Sequence, residues 1–78
     1  MAIKTQSQLA KEIGKKIRAI RKAKGISLKH FEASEYSTMT RHSLSDIETG
    51  KKLPSIYTAF RISKVLKIQM TEIFADLD

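Results

Sequence analysis

A short polar segment, residues 40–52, carries side chains suited to the recognition of another molecule. Arg41 and His42 can donate hydrogen bonds to guanine O6 or to purine N7 atoms. Asp46 can accept from cytosine N4 or orient a neighbouring donor, and Ser43 can contact a base or a phosphate. The alternative for each residue is a solvated surface position without a partner.

The same segment is predicted to form a helix with one narrow apolar side. Leu44 and Ile47 are three residues apart and would face a core. Thr40 is a suitable N-cap, and Gly50 is a suitable residue to end the helix. The hydrogen-bonding side chains would then face away from the core.

Two charged residues interrupt the predicted core faces. Arg21 follows Ile17 by four positions, and Glu48 follows Leu44 by four, so both lie at core-facing edges of their helices. A buried charge is costly unless it is paired. We therefore expect Arg21 and Glu48 to form an ion pair between the first and third helices. Alternatively, both side chains extend to solvent.

Helical periodicity extends along the whole chain and predicts an all-α domain of five short helices, residues 1–78, with residues 1–6 as a flexible arm. The first helix is expected over about 7–24, before Gly25. The others are expected to begin at Ser27, Thr40, Pro54-Ser55 and Thr71. The expected buried positions of the first four helices are Leu9, Ile13, Ile17, Ile20, Leu28, Phe31, Leu44, Ile47, Ile56, Ala59, Phe60, Ile62, Val65 and Leu66, and the fifth helix carries Ile73, Phe74 and Leu77.

Composition favours a polyanionic partner. The 78 residues carry a net charge of +7, and the first 30 hold nine Lys/Arg against one acid. Such a balance suits nucleic acid or an anionic membrane surface, although exposed lysines also serve solubility alone. There is no cysteine, signal-peptide core or long apolar run, so a cytoplasmic protein is expected. Two isolated histidines and no catalytic constellation argue against a metal, a cofactor or an enzyme.

Three segments together resemble the phage-repressor/Cro-like (XRE, lambda-repressor-like) helix-turn-helix family. They are "IGKKIRAIRKAKGIS", "TRHSLSDIETGKKLPS" and "FRISKVLKIQMTEIF", and the resemblance covers about residues 9–74. It implies a compact five-helix domain in which helices 2 and 3 bind double-stranded DNA, with residues 40–49 as the recognition helix. It also implies the Arg21–Glu48 pair, in agreement with the burial argument.

The resemblance assigns roles to individual residues. The base-contacting positions are Arg41, His42, Ser43 and Asp46, and the family's phosphate-contacting positions fall on Thr49, Lys51 and Lys52. Thr40 is a further candidate for a phosphate contact, and Ser27, Lys29 or Tyr36 could supply the phosphate contact that many relatives make at the position of Leu28. The function implied is a transcriptional regulator, as a repressor or controller, that binds a palindromic operator as a homodimer. The expected dimer surface is Ile73, Phe74 and Leu77. A protein-interaction module or antitoxin-like protein, with a toxin or co-regulator as partner, is the alternative.

The chain departs from the family pattern at three places. Residues 32–39 contain two more residues than the usual turn, and Glu32 replaces a small residue. A longer second helix, a longer turn, or both would accommodate them. Leu28 stands where many relatives carry a polar phosphate contact, and Lys67 stands where a glycine cap is usual.

Overall fold

The computed structural model describes residues 3–77, which form five helices and contain no strand. This confirms the predicted all-α fold. The helices are α1 (Gln6–Ala23), α2 (Leu28–Ala33), α3 (Arg41–Glu48), α4 (Ile56–Leu66) and α5 (Met70–Phe74).

Hydroxyl side chains define where four of the helices begin. Thr5, Ser27, Thr40 and Ser55 each accept a hydrogen bond from the backbone N–H three residues later, at 3.0–3.1 Å. Each bond satisfies an amide that has no partner within its helix. The helix starts are thus fixed by local chemistry.

The N-terminal residues make more contacts than a flexible arm would. Thr5 caps α1, Gln6 is its first residue, and the Lys4 ammonium lies 2.7 Å from the Glu12 carboxylate. Lys4 also donates a hydrogen bond to the backbone oxygen of Leu77. The expected arm therefore overlaps α1, and its first two residues lie outside the described part of the chain.

All five helices contribute to one core. α1 packs against α3 and α5, α2 packs against α3, and α4 packs against α5. At the α1–α3 crossing, a Cβ added to Gly14 would lie 2.7 Å from the Glu48 backbone oxygen, so only glycine allows this approach. The buried core side chains are Ile13, Ile17, Phe31, Leu44, Ile47, Ile62, Val65, Leu66 and Ile73.

The expected core was wrong for one side of α4. Ile56 is 79% exposed and Phe60 is 42% exposed, whereas Ala59 and Ile62 are fully buried. The apolar side of α4 is wider than the surface that the other helices cover. Tyr57 is also exposed, and Ile56, Tyr57 and Phe60 are neighbours at helical spacing on one side of α4, which we call the α4 patch.

The fifth helix is shorter than expected, and its residues have different environments. It begins at Met70 and ends at Phe74, because Ala75 adopts an extended conformation. Ile73 is fully buried, so its assignment to a dimer surface was wrong. Leu77 lies beyond the helix and packs against the core. Phe74, which was expected at the dimer surface, is 39% exposed.

Candidate nucleic-acid interface

The segment between α2 and α3 contains the additional residues. α2 has six residues and ends at Ala33, so the turn, not the helix, is extended. Within the turn, Ser34 Oγ accepts from Tyr36 N at 3.2 Å, and Ser37 Oγ donates to the Met39 backbone oxygen at 3.1 Å. Met39 packs partly against the core. These local bonds order a turn that is longer than the family pattern.

A buried ion pair fixes the angle of α3 against α1. Arg21 Nε lies 2.6 Å from Glu48 Oε2, and Arg21 Nη2 donates to Glu48 Oε1 at 3.0 Å. A third donor, Nη1, binds the Ile26 backbone oxygen at 2.6 Å. Leu44 and Ile47 are buried as well, so one side of α3 is packed in the protein interior.

Arg41 is the first residue of α3, and its side chain is 55% exposed. Its backbone N–H donates to Glu32 Oε2 at 2.8 Å. Its Nε also lies 3.3 Å from Glu32 Oε1, so one carboxylate holds both the backbone and the side chain. The sequence singled out Glu32 as a departure from the family but not as a partner of Arg41. Its position one residue before the end of α2 was the available signal.

The other predicted base-contacting residues lie along the following turn of α3. The His42 side chain is 88% exposed, and its Nε2 lies 3.9 Å from Asp46 Oδ2 one turn later. Ser43 is partly exposed, and its Oγ accepts from Thr40 Oγ1 at 3.2 Å. The exposed side of α3 thus presents cationic and neutral donors at its start and one carboxylate in its middle.

The end of α3 places two lysines beside it. Gly50 has φ +81, and the chain reverses there because left-handed backbone is easily adopted by glycine. The Lys51 and Lys52 backbone amides then donate to the Asp46 backbone oxygen at 2.9 and 3.3 Å. Both lysine side chains are exposed. Thr49 is exposed as well, although its hydroxyl donates to the Ser45 backbone oxygen.

The remaining predicted phosphate contacts lie at the start of α2 and in the turn. Ser27 is exposed, but its hydroxyl already accepts from His30 N. Lys29 is exposed in the first turn of α2, and Tyr36 is 46% exposed in the α2–α3 turn. Leu28 is partly buried against the core, which leaves Lys29 as the charged side chain at this end of the helix.

Residues 3–77 contain no group of His, Asp and Glu side chains that could hold a metal ion. Within the same range, no helix has both the length and the apolar character needed to cross a bilayer. A surface cavity of about 800 Å³ lies beside Tyr36, Phe60 and Arg61, and no residue of α3 lines it. The exposed side of α3 is therefore an open surface, which suits a macromolecular partner more than a small molecule.

Comparison with known proteins gives one family. A family model described as helix-turn-helix (HTH_3) matches residues 17–73, a range that includes α2, α3 and α4 complete. No curated protein and no solved structure matches the chain significantly.

Proposed function

The chain belongs to the XRE-type (lambda repressor/Cro-like) helix-turn-helix family of DNA-binding regulators, and from this premise we propose that it is a sequence-specific transcriptional regulator. It acts in the cytoplasm as a repressor or controller protein. Its recognition helix, residues 40–49, enters the major groove of a palindromic operator. Two copies of the chain bind one operator.

The arrangement of α3 is the observation that carries this proposal. One side of the helix is fixed in the core by Leu44, Ile47 and the ion pair of Glu48. The opposite side presents the exposed Arg41 and His42. A rigid helix with exposed hydrogen-bonding side chains has the geometry that direct recognition of base edges requires.

Four side chains contact bases in this proposal. Arg41 donates two hydrogen bonds to guanine O6 and N7, and His42 donates to a purine N7. Ser43 contacts a base or the adjacent phosphate. Asp46 either accepts from cytosine N4 or orients His42, from which it is 3.9 Å away.

Contacts with the DNA backbone lie around the recognition helix in this proposal. Lys51 and Lys52 bind phosphates on one side, and their exposed side chains next to the end of α3 support that role. Contacts of this kind fix the orientation of the protein but carry no sequence information. The other phosphate-contacting residues proposed are Ser27, Lys29, Tyr36, Thr40 and Thr49.

Selection of bound duplexes from a random pool tests the function directly. We expect a motif with two-fold symmetry, and the affinity for it should fall steeply with salt. Arg41→Ala should cost about 1–3 kcal/mol on that site and relax the preference at one base pair. Arg18→Ala, which removes the same charge from an exposed position on α1, should leave the preference unchanged. Unaltered preference in Arg41→Ala would remove this residue from base recognition.

We place the dimer surface on the α4 patch. Ile56, Tyr57 and Phe60 are all exposed there at neighbouring helical positions, and exposed apolar side chains that adjoin one another favour self-association. A short helix makes too few base contacts for tight selective binding, so two copies should act together. Their recognition helices would lie about 34 Å apart, one helical turn of DNA.

Sedimentation of two charged variants tests this surface. Ile56→Asp should give a folded monomer that binds the operator weakly. Phe74→Asp introduces the same charge on α5 and should leave the dimer intact. The reverse pattern would assign the dimer surface to α5, and a wild-type chain that sediments as a monomer with its operator present would exclude the dimer.

The α4 patch also supports the alternative function, a protein-interaction module or antitoxin-like protein. An apolar partner surface would occupy the patch, and DNA would then play no part. Salt-independent or absent DNA binding by the wild-type chain would favour this alternative. DNA binding that weakens steeply with salt favours the regulator.

A further inference from the structure

Glu32 and Arg41 are nine residues apart in sequence, but one carboxylate makes two contacts with the first residue of α3. Oε2 accepts the Arg41 backbone N–H at 2.8 Å, and Oε1 lies 3.3 Å from Arg41 Nε. Thr40 already caps α3 by accepting from Ser43 N. Glu32 is therefore a second cap, and it also contacts the guanidinium group.

We propose that Glu32 is a positioning residue that orients Arg41 for recognition of a guanine, an inference that rests on the proposed role of Arg41. The carboxylate occupies the Nε edge of the guanidinium. Within residues 3–77 neither terminal amino group, Nη1 or Nη2, makes a hydrogen bond, so both can donate in parallel. Two parallel donors match O6 and N7 of guanine.

Preorganisation is the physical basis of this role. A long exposed side chain loses rotamer freedom when it binds, and a partner that already restricts it reduces that loss. The carboxylate is itself favoured at this position, because it lies at the positive N-terminal end of α3. Arg41 would thus reach the DNA with part of its conformational freedom already removed.

The negative charge gives this role a signature that a merely structural role lacks. A carboxylate close to DNA phosphates is repelled, and the repulsion weakens binding to every sequence. Removal of the charge should therefore leave binding to unrelated DNA unchanged or stronger, while discrimination at one base pair falls. A residue that served only as a helix cap would instead weaken binding to all duplexes alike.

Glu32→Gln is the decisive variant, because the amide oxygen can still accept the Arg41 backbone N–H. Dissociation constants should be measured for the selected operator, for duplexes with each base pair replaced in turn, and for an unrelated duplex. Discrimination at the pair contacted by Arg41 should fall about 3- to 10-fold. In an Arg41→Ala background, Glu32→Gln should cause no further loss of discrimination at that pair.

Glu35→Gln is the matched control. The substitution removes the same charge from the turn between α2 and α3. Glu35 is exposed and forms no ion pair within residues 3–77. Glu35→Gln should leave discrimination at every base pair of the operator unchanged. Circular dichroism should show that both glutamine variants are folded at the assay temperature.

Three outcomes would overturn the inference, and the third is distinguishable from the first two. In the first, Arg41→Ala loses discrimination but Glu32→Gln does not. In the second, Glu32→Gln weakens binding to all duplexes equally. Either result would show that Glu32 has no positioning role, while the base contact of Arg41 would stand. If Arg41→Ala itself keeps full discrimination, the base contact proposed for Arg41 fails and the role of Glu32 fails with it.

Discussion

Glu48→Ala removes one partner of the buried ion pair and leaves the other in place. The side chains of Arg21 and Glu48 are only 7% and 4% exposed, so little bulk solvent reaches the pair. Arg21 would keep its hydrogen bond to the Ile26 backbone oxygen. Its Nε and Nη2 donors, which bind Glu48 Oε2 and Oε1, would both lose their acceptors.

The expected cost follows from that geometry. An uncompensated charge in a buried pair costs about 3–5 kcal/mol. A domain of 78 residues has a total stability of about 4–12 kcal/mol at typical values per residue. The variant should therefore lose a large part of its stability, and its Tm should fall by about 12–40 °C.

Urea denaturation at pH 7, followed by circular dichroism, measures the loss. Glu12→Ala is the matched control, because it removes a carboxylate from an ion pair of similar length, 2.7 Å, in which the two side chains are 31% and 41% exposed. The control should cost no more than about 1 kcal/mol. The double variant Arg21→Met/Glu48→Leu should be at least about 2 kcal/mol more stable than Glu48→Ala, because no charge is left unpaired.

Two results would refute the reasoning. Equal losses in Glu48→Ala and Glu12→Ala would show that burial adds nothing to the cost of breaking the pair. Equal melting of the single and double variants would show that the unpaired Arg21 charge is not what destabilises the domain.

Three further predictions concern DNA binding and backbone geometry. Lys51→Ala and Lys52→Ala should weaken binding to all duplexes alike and each reduce the salt slope by about 1, measured by fluorescence anisotropy at several salt concentrations. Gly14→Ala should destabilise the domain by about 1–3 kcal/mol in urea denaturation, because the added methyl group would clash with the backbone oxygens of Ile47 and Glu48. Lys67 ends α4 at φ 58, a left-handed conformation that is strained for any residue other than glycine. Lys67→Gly should therefore raise stability by about 1 kcal/mol, and an unchanged or lower Tm would contradict this.

The sequence by itself determined the helices and the positions where most of them begin. Thr40 and Ser27 act on amides only three residues away, so their roles depend on local chemistry and not on the rest of the fold. The periodicity around Ile17 and Leu44 likewise placed Arg21 and Glu48 at the core-facing edges of two helices. A buried charge needs a partner, and these positions left few candidates.

The tertiary structure alone decided which apolar positions are covered and which polar groups meet. Ile56 and Ile73 both fit a helical apolar pattern, but the first is 79% exposed and the second is fully buried. Periodicity defines a side of a helix, whereas burial depends on how much of that side the neighbouring helices cover. The contact between Glu32 and Arg41 depends in the same way on the course of the extended turn, which no local pattern specifies.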